Sequence, residues 1–295
     1  MLIDKLYVNN IDKVRNKMGK YETKITMLGT GNAAVTKCYN TCFCLHTEKG
    51  IFLVDAGGGN GILSQLEKAN ISLTDIHELF ISHAHTDHLL GAVWIIRAIT
   101  QLIQKKAYSG NLNVYGHDKV IDVTEWICKS TLPKKIVAFI GNRIILNKLD
   151  KGDPFEAAGV KCTCFDIEST KEKQYGLRIE YDKDKILAFL GDEPYNPNNK
   201  EYVENADWMM SEAFCLYRDR DIFKPYEKHH STAIDAARTA ASLGIKNLIL
   251  YHTEDKTIAE RKIKYTEEAK LEFKNPVYVP DDLESIIHAN QQLAF

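Results

Sequence analysis

The chain has 295 residues, 44% of them hydrophobic, and its 38 basic and 40 acidic residues give a formal net charge of −2. This composition is sufficient to form a large hydrophobic core. The balanced charge excludes a protein that binds nucleic acid through an overall basic surface, but it is compatible with a local RNA-binding patch. We expect a cytoplasmic protein with no membrane partner, because no apolar stretch approaches the ~20 residues that cross a bilayer and the seven scattered cysteines form no disulfide framework.

The first half of the chain alternates predicted strands with predicted helices. Residues 1–20 predict a short mixed helix that forms an N-terminal extension. Hydrophobic periodicity predicts strands at 23–29, 42–46, 51–55, 78–82 and 112–115, and helices at 62–69, 89–106 and 119–130. The glycine-rich run 57–61 predicts a tight loop, and without a following Lys-Ser or Lys-Thr it does not match a phosphate-binding loop.

The second half of the chain continues this alternation. Strands are predicted at 143–147, 160–165, 175–181, 185–190 and 246–251, helices at 231–243 and 256–270, and a last strand with a short tail within 276–295. No internal repeat or Pro-, Ser- or Gly-rich linker is present, so residues 21–295 are predicted to form a single domain.

Four candidate metal ligands fall within six residues, at His83, His85, Asp87 and His88. Imidazole and carboxylate groups suit Zn, Fe, Co or Mn, and catalytic metal sites keep one coordination position open for water. In an extended strand the first three side chains would share one face and the fourth would point away. The predicted strand-to-helix turn is therefore what brings all four together.

Two later strands end in groups of the same kind. The apolar run 186–190 is followed by Gly191-Asp192, and the run 246–251 is followed by His252. Three predicted strands thus present metal-type ligands where each apolar run stops, which indicates one shared metal centre.

In this arrangement the chain resembles the metallo-β-lactamase-fold hydrolases, in the branch similar to RNase Z and its phosphodiesterase relatives. The matching stretches run in family order through residues 24–255: Met27 to Asn32, Val54 to Gly57, His83 to His88, Gly191-Asp192, Ser211 to Ala213, His230 to Ala233, and Leu250 to His252. The resemblance implies an α/β (α+β) fold: an αββα sandwich of two mixed β-sheets flanked by helices.

The resemblance also implies two divalent metal ions, with Zn the first expectation and Mn or Fe the alternatives. Asp87, His88 and His252 are expected to bind the second metal, and Asp192 to bridge both. The implied reaction is attack by a metal-bound hydroxide, formed because the metals lower the pKa of water from ~15.7 towards ~7. The implied substrate bond is a phosphodiester.

His83 and His85 are expected to bind the first metal, but the third His that relatives supply there is missing. The window before Tyr175-Gly176 contains no histidine. Glu168 is the first choice as its replacement and Asp166 the second, since a carboxylate oxygen also binds these metals. The alternative is a weak or empty first site in a degenerate protein.

The catalytic groups implied by the resemblance are Asp87, Glu212 and His230. His230 would act as general acid towards the leaving oxygen, with Glu212 orienting it and keeping it partly protonated. The alternative is that His230 only precedes a helix N-cap. His229 is expected to face solvent.

The substrate expected from the sequence is a small molecule or nucleotide. RNA is not favoured, because residues 100–150 lack the long Gly/Pro-rich arm of the tRNA-processing relatives. The segment 217–228 mixes cations with aromatics, and a solvated loop is favoured slightly over a phosphate-binding lid. The alternatives to a phosphodiesterase are a hydrolase of thioesters, lactones or sulfate esters, and a degenerate metal-binding or sensing protein. A homodimer is a further expectation.

Overall fold

The computed structural model describes residues 23–287, so the predicted N-terminal extension, residues 1–20, lies outside the described residues. The first half of the chain contains β1 (Lys24–Gly29), β2 (Cys42–Thr47), β3 (Gly50–Val54), α1 (Gly61–Lys68), β4 (Ile76–Phe80), α2 (Thr86–Gln104), β5 (Leu112–Gly116), α3 (Asp118–Thr131), α4 (Lys134–Val137) and β6 (Ile144–Lys148).

The second half contains β7 (Pro154–Ala157), β8 (Val160–Asp166), β9 (Tyr175–Tyr181), β10 (Lys185–Phe189), α5 (Lys200–Val203), β11 (Trp208–Glu212), α6 (Arg220–Phe223), α7 (Ala233–Ser242), β12 (Asn247–Tyr251), α8 (Arg261–Glu272), β13 (Val277–Tyr278) and β14 (Ser285–Ile287). Among the described residues, no helix combines the length and apolar character needed to cross a bilayer.

Two seven-stranded mixed sheets form the centre of the molecule. The first has the order β14-β1-β2-β3-β4-β5-β6 and the second the order β13-β12-β11-β10-β9-β8-β7. In each sheet four neighbouring strands run parallel, β3 to β6 in the first and β10 to β13 in the second, and the strands that lead towards the candidate ligands are among them. Parallel strands end at the same edge of a sheet, so residues that follow them are brought together.

Apolar side chains fill three separate layers of core. Between the sheets, Phe189 packs edge-on against Phe43 at 5.4 Å and stacks on Tyr251 at 5.8 Å between ring centroids, and all three are fully buried. A second core lies between the first sheet and helices α1 to α3, and a third between the second sheet and helices α7 and α8. The predicted αββα sandwich is therefore confirmed.

The two sheets are joined by backbone hydrogen bonds at the edge where the ligands lie. The Tyr175 N–H donates to the Ser82 carbonyl at 3.0 Å, and the Thr253 N–H donates to the Thr30 carbonyl at 3.1 Å. Each bond links a residue near a strand end of one sheet to one of the other, so the relative position of the two ligand groups is fixed by the backbone.

The structure corrects three sequence-based element predictions. The strands at 143–147 and 160–165, which the sequence predicts as a pair that opens the second half of the chain, lie in different sheets, because β6 joins β5 in the first sheet while β8 pairs with β7 and β9 in the second. The last helix begins at Arg261 instead of Lys256. The C-terminal segment forms two strands in different sheets, and β14 pairs with β1 through contacts remote in sequence.

Gly91 allows α2 to pack directly on the loop that follows β3. Its N–H donates to the Gly57 carbonyl at 2.8 Å, and a Cβ at this position would lie 1.8 Å from the carbonyl oxygen of Ala56. We expect Gly91→Ala to lower the free energy of unfolding by about 1–3 kcal/mol through overpacking, measured by urea denaturation. Gly59→Ala is the matched control, because its Cβ would meet nothing within 4 Å. Equal stability of the two variants would contradict this assignment.

Candidate metal centre

The candidate ligands converge at the common edge of the two sheets. His83 follows β4, His85 is the residue before α2, Asp192 follows β10, and His252 directly follows β12. Two groups of donor atoms result, each with all its members within 4.8 Å of one another: His83, His85 and Asp192, and Asp87, His88 and His252. The structure thus brings together all six ligands implied for the two metals, apart from the missing third His.

Asp192 contacts both groups through one carboxylate oxygen. Its Oδ2 lies 3.5 Å from His83 Nε2, 3.8 Å from His88 Nε2 and 3.7 Å from His252 Nε2. The His88 Nε2 atom is buried and has no hydrogen-bond partner. A buried imidazole nitrogen without a partner lowers the stability of the fold. A divalent cation would provide that partner, because imidazole and carboxylate groups in this arrangement are typical ligands of such a cation. The residues therefore fit a metal.

The outer nitrogens of the ligand imidazoles are held by polar side chains. The Asp55 carboxylate accepts from the N–H and the hydroxyl of Ser82 and lies 2.8 Å from His88 Nδ1. The Thr41 hydroxyl lies 3.0 Å from His252 Nδ1. These contacts fix the two rings with Nε2 facing the centre, the arrangement that orients metal-binding histidines in proteins.

Burial and charge hold three of the candidate ligands in a form that binds metal, whereas the Asp55 and Asp87 carboxylates outweigh burial at His88 and raise its pKa well above the usual value. Burial would raise the pKa of Asp192, but the neighbouring His83 and His252 outweigh it and hold this pKa well below its usual range. Burial lowers the pKa of His83 well below its usual value and that of His252 to about 3. A carboxylate beside neutral imidazoles is the state required of metal ligands.

Gln174 is a contact of the site that the sequence reasoning missed. Its side-chain Nε2 donates to Asp192 Oδ1 at 2.5 Å, and its Oε1 accepts from the Asp192 backbone N–H at 2.7 Å. Gln174 is fully buried. It therefore holds one carboxylate oxygen and leaves the other, Oδ2, directed at the three imidazoles. Its position directly before Tyr175-Gly176 was the available signal, but an amide carries no metal-ligand signature.

The structure does not bring Glu168 or Asp166 into the centre, which corrects the expectation that one of them replaces the missing His. Strand β8 ends at Asp166, and Glu168 lies beyond it with a positive φ of 60°. The exposed Glu168 carboxylate instead accepts from Asn196 and Asn198. Among the described residues, neither carboxylate belongs to a group that could hold a metal.

Glu168→Ala is accordingly expected to leave metal content unchanged. Its free energy of unfolding should stay close to the parent value, because the side chain is exposed and its contacts are at the surface. Metal analysis of the purified variant and of the parent protein measures this. Loss of one metal per chain in the variant would restore Glu168 as a ligand.

His230 and Glu212 lie beside the second group. The His230 Nδ1 is 3.6 Å from Glu212 Oε2, and neither atom has a hydrogen-bond partner. The His230 ring stacks on Phe214 at 4.8 Å and lies 5.4 Å from the His252 ring. Burial raises the pKa of Glu212, partly offset by His230. The predicted catalytic pair is thus adjacent to the candidate ligands, whereas His229 is exposed.

Residues 217–228 form short helical turns whose cations are neutralised locally. Arg218 lies 3.5 Å from Asp219, and Lys224 lies 3.8 Å from Glu227. The Arg220 guanidinium stacks on Tyr217 at 4.0 Å. This pairing agrees with the favoured prediction of a solvated loop.

Comparison with known proteins places the chain in a family. The model of the family "Anti-Pycsar protein Apyc1" matches residues 23–278. The chain belongs to this family. It is also 24% identical over 311 residues to the ribonuclease Z of Ligilactobacillus salivarius, covering 88% of this chain and 95% of that protein.

Solved structures similar to the Apyc1-family chain have the same fold. The metallo-β-lactamase fold protein YhfI from Bacillus subtilis superposes with a TM-score of 0.73 at 20% identity, covering 90% of this chain and all of that one. Human tRNase Z, short form, gives a TM-score of 0.69 at 20% identity, covering 89% and 98% of the two chains. The predicted resemblance to the RNase Z-like, phosphodiesterase-like branch of the metallo-β-lactamase fold is confirmed.

Proposed function

We propose that this chain is a two-metal hydrolase of phosphodiester bonds in small nucleotides. The predicted class, metal-dependent hydrolysis of phosphodiester bonds, is confirmed by the ribonuclease Z relatives together with the converging His and Asp donors. The observation that carries the proposal is the position of Asp192 Oδ2, within 3.8 Å of imidazole nitrogens from both ligand groups. A shared metal centre explains why these donor atoms converge on one carboxylate oxygen.

The first metal would be held by His83, His85 and Asp192, and the second by Asp87, His88, His252 and the shared Asp192. Zn is the first choice for such imidazole-rich donors, with Mn or Fe as alternatives. Two bound divalent ions supply a nucleophile at neutral pH from water and neutralise charge on the substrate oxygens.

The side chains around the centre supply positioning and proton transfer. Asp55 and Thr41 hold the ligand rings, and Gln174 holds Asp192. His230 donates its proton to the leaving oxygen, and Glu212, whose Oε2 lies 3.6 Å from His230 Nδ1, orients the imidazole. The Phe214 ring stacked on His230 keeps the imidazole plane fixed.

A small nucleotide is proposed as substrate in preference to tRNA. The part of the chain in which the tRNA-processing relatives carry a long arm is occupied here by β5 and β6 of the first sheet, by α3, which packs on that sheet, and by the short helix α4. The RNA-cleaving relatives make RNA the second candidate. The same comparison favours phosphodiesters over thioesters, lactones and sulfate esters.

The proposal is tested on the full chain purified without added metal. We expect about two metal ions per chain by mass spectrometry of the elements, and hydrolysis of bis-p-nitrophenyl phosphate that increases with added Zn, Mn or Fe. A dinucleotide should be cleaved and a tRNA precursor left intact. One metal or none, with no turnover under any cation, would instead support the degenerate binding or sensing protein. Cleavage of the tRNA precursor alone would select RNA as substrate.

A further inference from the structure

A cavity of about 270 Å³ lies beside the metal centre, between helices α2 and α3 and the glycine-rich loop. Its lining includes Leu90 and Trp94 from α2, Ile127 from α3, and Gly58 and Gly59 from the loop. This volume is just below that of sites for drug-sized ligands, which suits a single ring system. The residues that line this cavity include neither the candidate metal ligands nor His230 and Glu212.

Gly58, which lines the cavity, also lies next to the backbone of a candidate metal ligand. A Cβ built on Gly58 would lie 3.7 Å from the Cα of the proposed ligand Asp87. Along α2, Asp87 and Trp94 are seven residues apart, a rise of about 10 Å at 1.5 Å per residue. A group bound against Trp94 is therefore about one nucleotide away from a phosphate bound at the metals.

The chemistry of the lining is that of a stacking site. Trp94 is 39% exposed although it lies on a helix whose neighbouring residues Val93 and Ile95 are buried. The guanidinium carbon of Arg97 lies 6.0 Å from the centroid of the Trp94 ring. An exposed indole face stacks on nucleobases, and an arginine next to it donates to the acceptor atoms of a base edge.

We propose that this cavity, defined by Gly58, Gly59, Leu90, Trp94, Arg97 and Ile127, binds the base of the nucleotide whose phosphodiester lies at the metal centre. The base stacks on Trp94, Arg97 donates to its edge, and the glycine-rich loop provides open space for the ring because it has no side chains. This inference rests on the proposed function and names the feature by which the site recognises its substrate.

The test compares the binding of AMP and CMP with that of ribose 5-phosphate, which carries the phosphate and sugar but no base. Equilibrium dialysis on the full-length, metal-loaded protein measures the dissociation constants without turnover. We expect the nucleotides to bind about 10- to 100-fold more tightly than ribose 5-phosphate, the range given by stacking on one aromatic side chain. Trp94→Ala should remove this preference.

Two further variants distinguish a loss of base binding from damage to the fold. Trp126→Ala is the matched control, because Trp126 is a 68% exposed tryptophan on α3 outside the cavity lining, and it should keep the preference. Gly59→Leu adds a side chain at a position where a Cβ meets nothing within 4 Å. It should fill the cavity and weaken the binding of AMP and CMP while leaving the binding of ribose 5-phosphate unchanged.

The inference is overturned if the parent protein binds ribose 5-phosphate as tightly as AMP and CMP, or if Trp94→Ala keeps the preference. It is also overturned if Trp94→Ala converts a dimer to a monomer in sedimentation, since a second copy would then cover this face. Failure of the proposed function is a different result, namely absence of hydrolysis of bis-p-nitrophenyl phosphate by the two-metal protein.

Discussion

Asp192→Ala is expected to abolish hydrolysis of bis-p-nitrophenyl phosphate to the limit of detection, a loss of at least ~10³-fold. Removal of one electrostatic stabiliser of a transition state by itself costs about 10²- to 10³-fold, and the loss of Asp192 also removes the Oδ2 atom that faces donors of both groups. The metal content of the variant should fall as well, because each group loses its only shared carboxylate. Steady-state kinetics and elemental analysis measure the two effects.

Asp192→Asn separates charge from shape in the same experiment. It keeps the side-chain volume but makes one of the two terminal atoms an amide nitrogen, which cannot bind a cation. We expect it to resemble Asp192→Ala in metal content, with Glu168→Ala serving as the control carboxylate variant. Two metals and near-normal activity in Asp192→Asn would show that Asp192 is not a ligand.

His230→Ala is expected to slow hydrolysis by an amount that depends on the leaving group. For a dinucleotide, whose departing oxygen needs a proton, the loss in kcat should be about 10²- to 10⁴-fold. For bis-p-nitrophenyl phosphate the loss should be much smaller, since p-nitrophenolate departs without protonation. A purely structural role for His230 would lower both rates alike.

His229→Ala is the matched control for this comparison. His229 is adjacent in sequence, but it is exposed and its Nδ1 lies 3.1 Å from the Thr170 hydroxyl, away from Glu212. Both rates should stay close to those of the parent protein. An equally large, leaving-group-dependent loss in His229→Ala would transfer the acid role from His230 to its neighbour.

The ligands that could be predicted from the sequence are those set by local structure. His83, His85 and Asp87 lie where a strand leads into a helix, Asp192 lies three residues after β10, and His252 directly follows β12, which is in the same parallel part of the sheet. Strand periodicity and strand direction are sufficient to bring such residues together. The order of helices and strands follows from the same patterns.

The features that could not be predicted depend on contacts between distant segments. Glu168 was expected because a carboxylate can replace an imidazole as a metal ligand, but β8 ends before it and its side chain is exposed. Gln174 gains its role only from the position of Asp192 in another loop, and β14 is a strand only because β1 offers it an edge. Neither relation leaves a pattern in the local sequence.

The distribution of the ligands along the chain has a consequence for biosynthesis. His83, His85, Asp87 and His88 emerge early from the ribosome, whereas Asp192 and His252 emerge only when most of the polypeptide has been made. Contacts between such distant segments form late, after the intervening strands have paired. A nascent chain therefore presents only part of the candidate ligand set, and all six residues are available to one metal centre only after translation has passed residue 252.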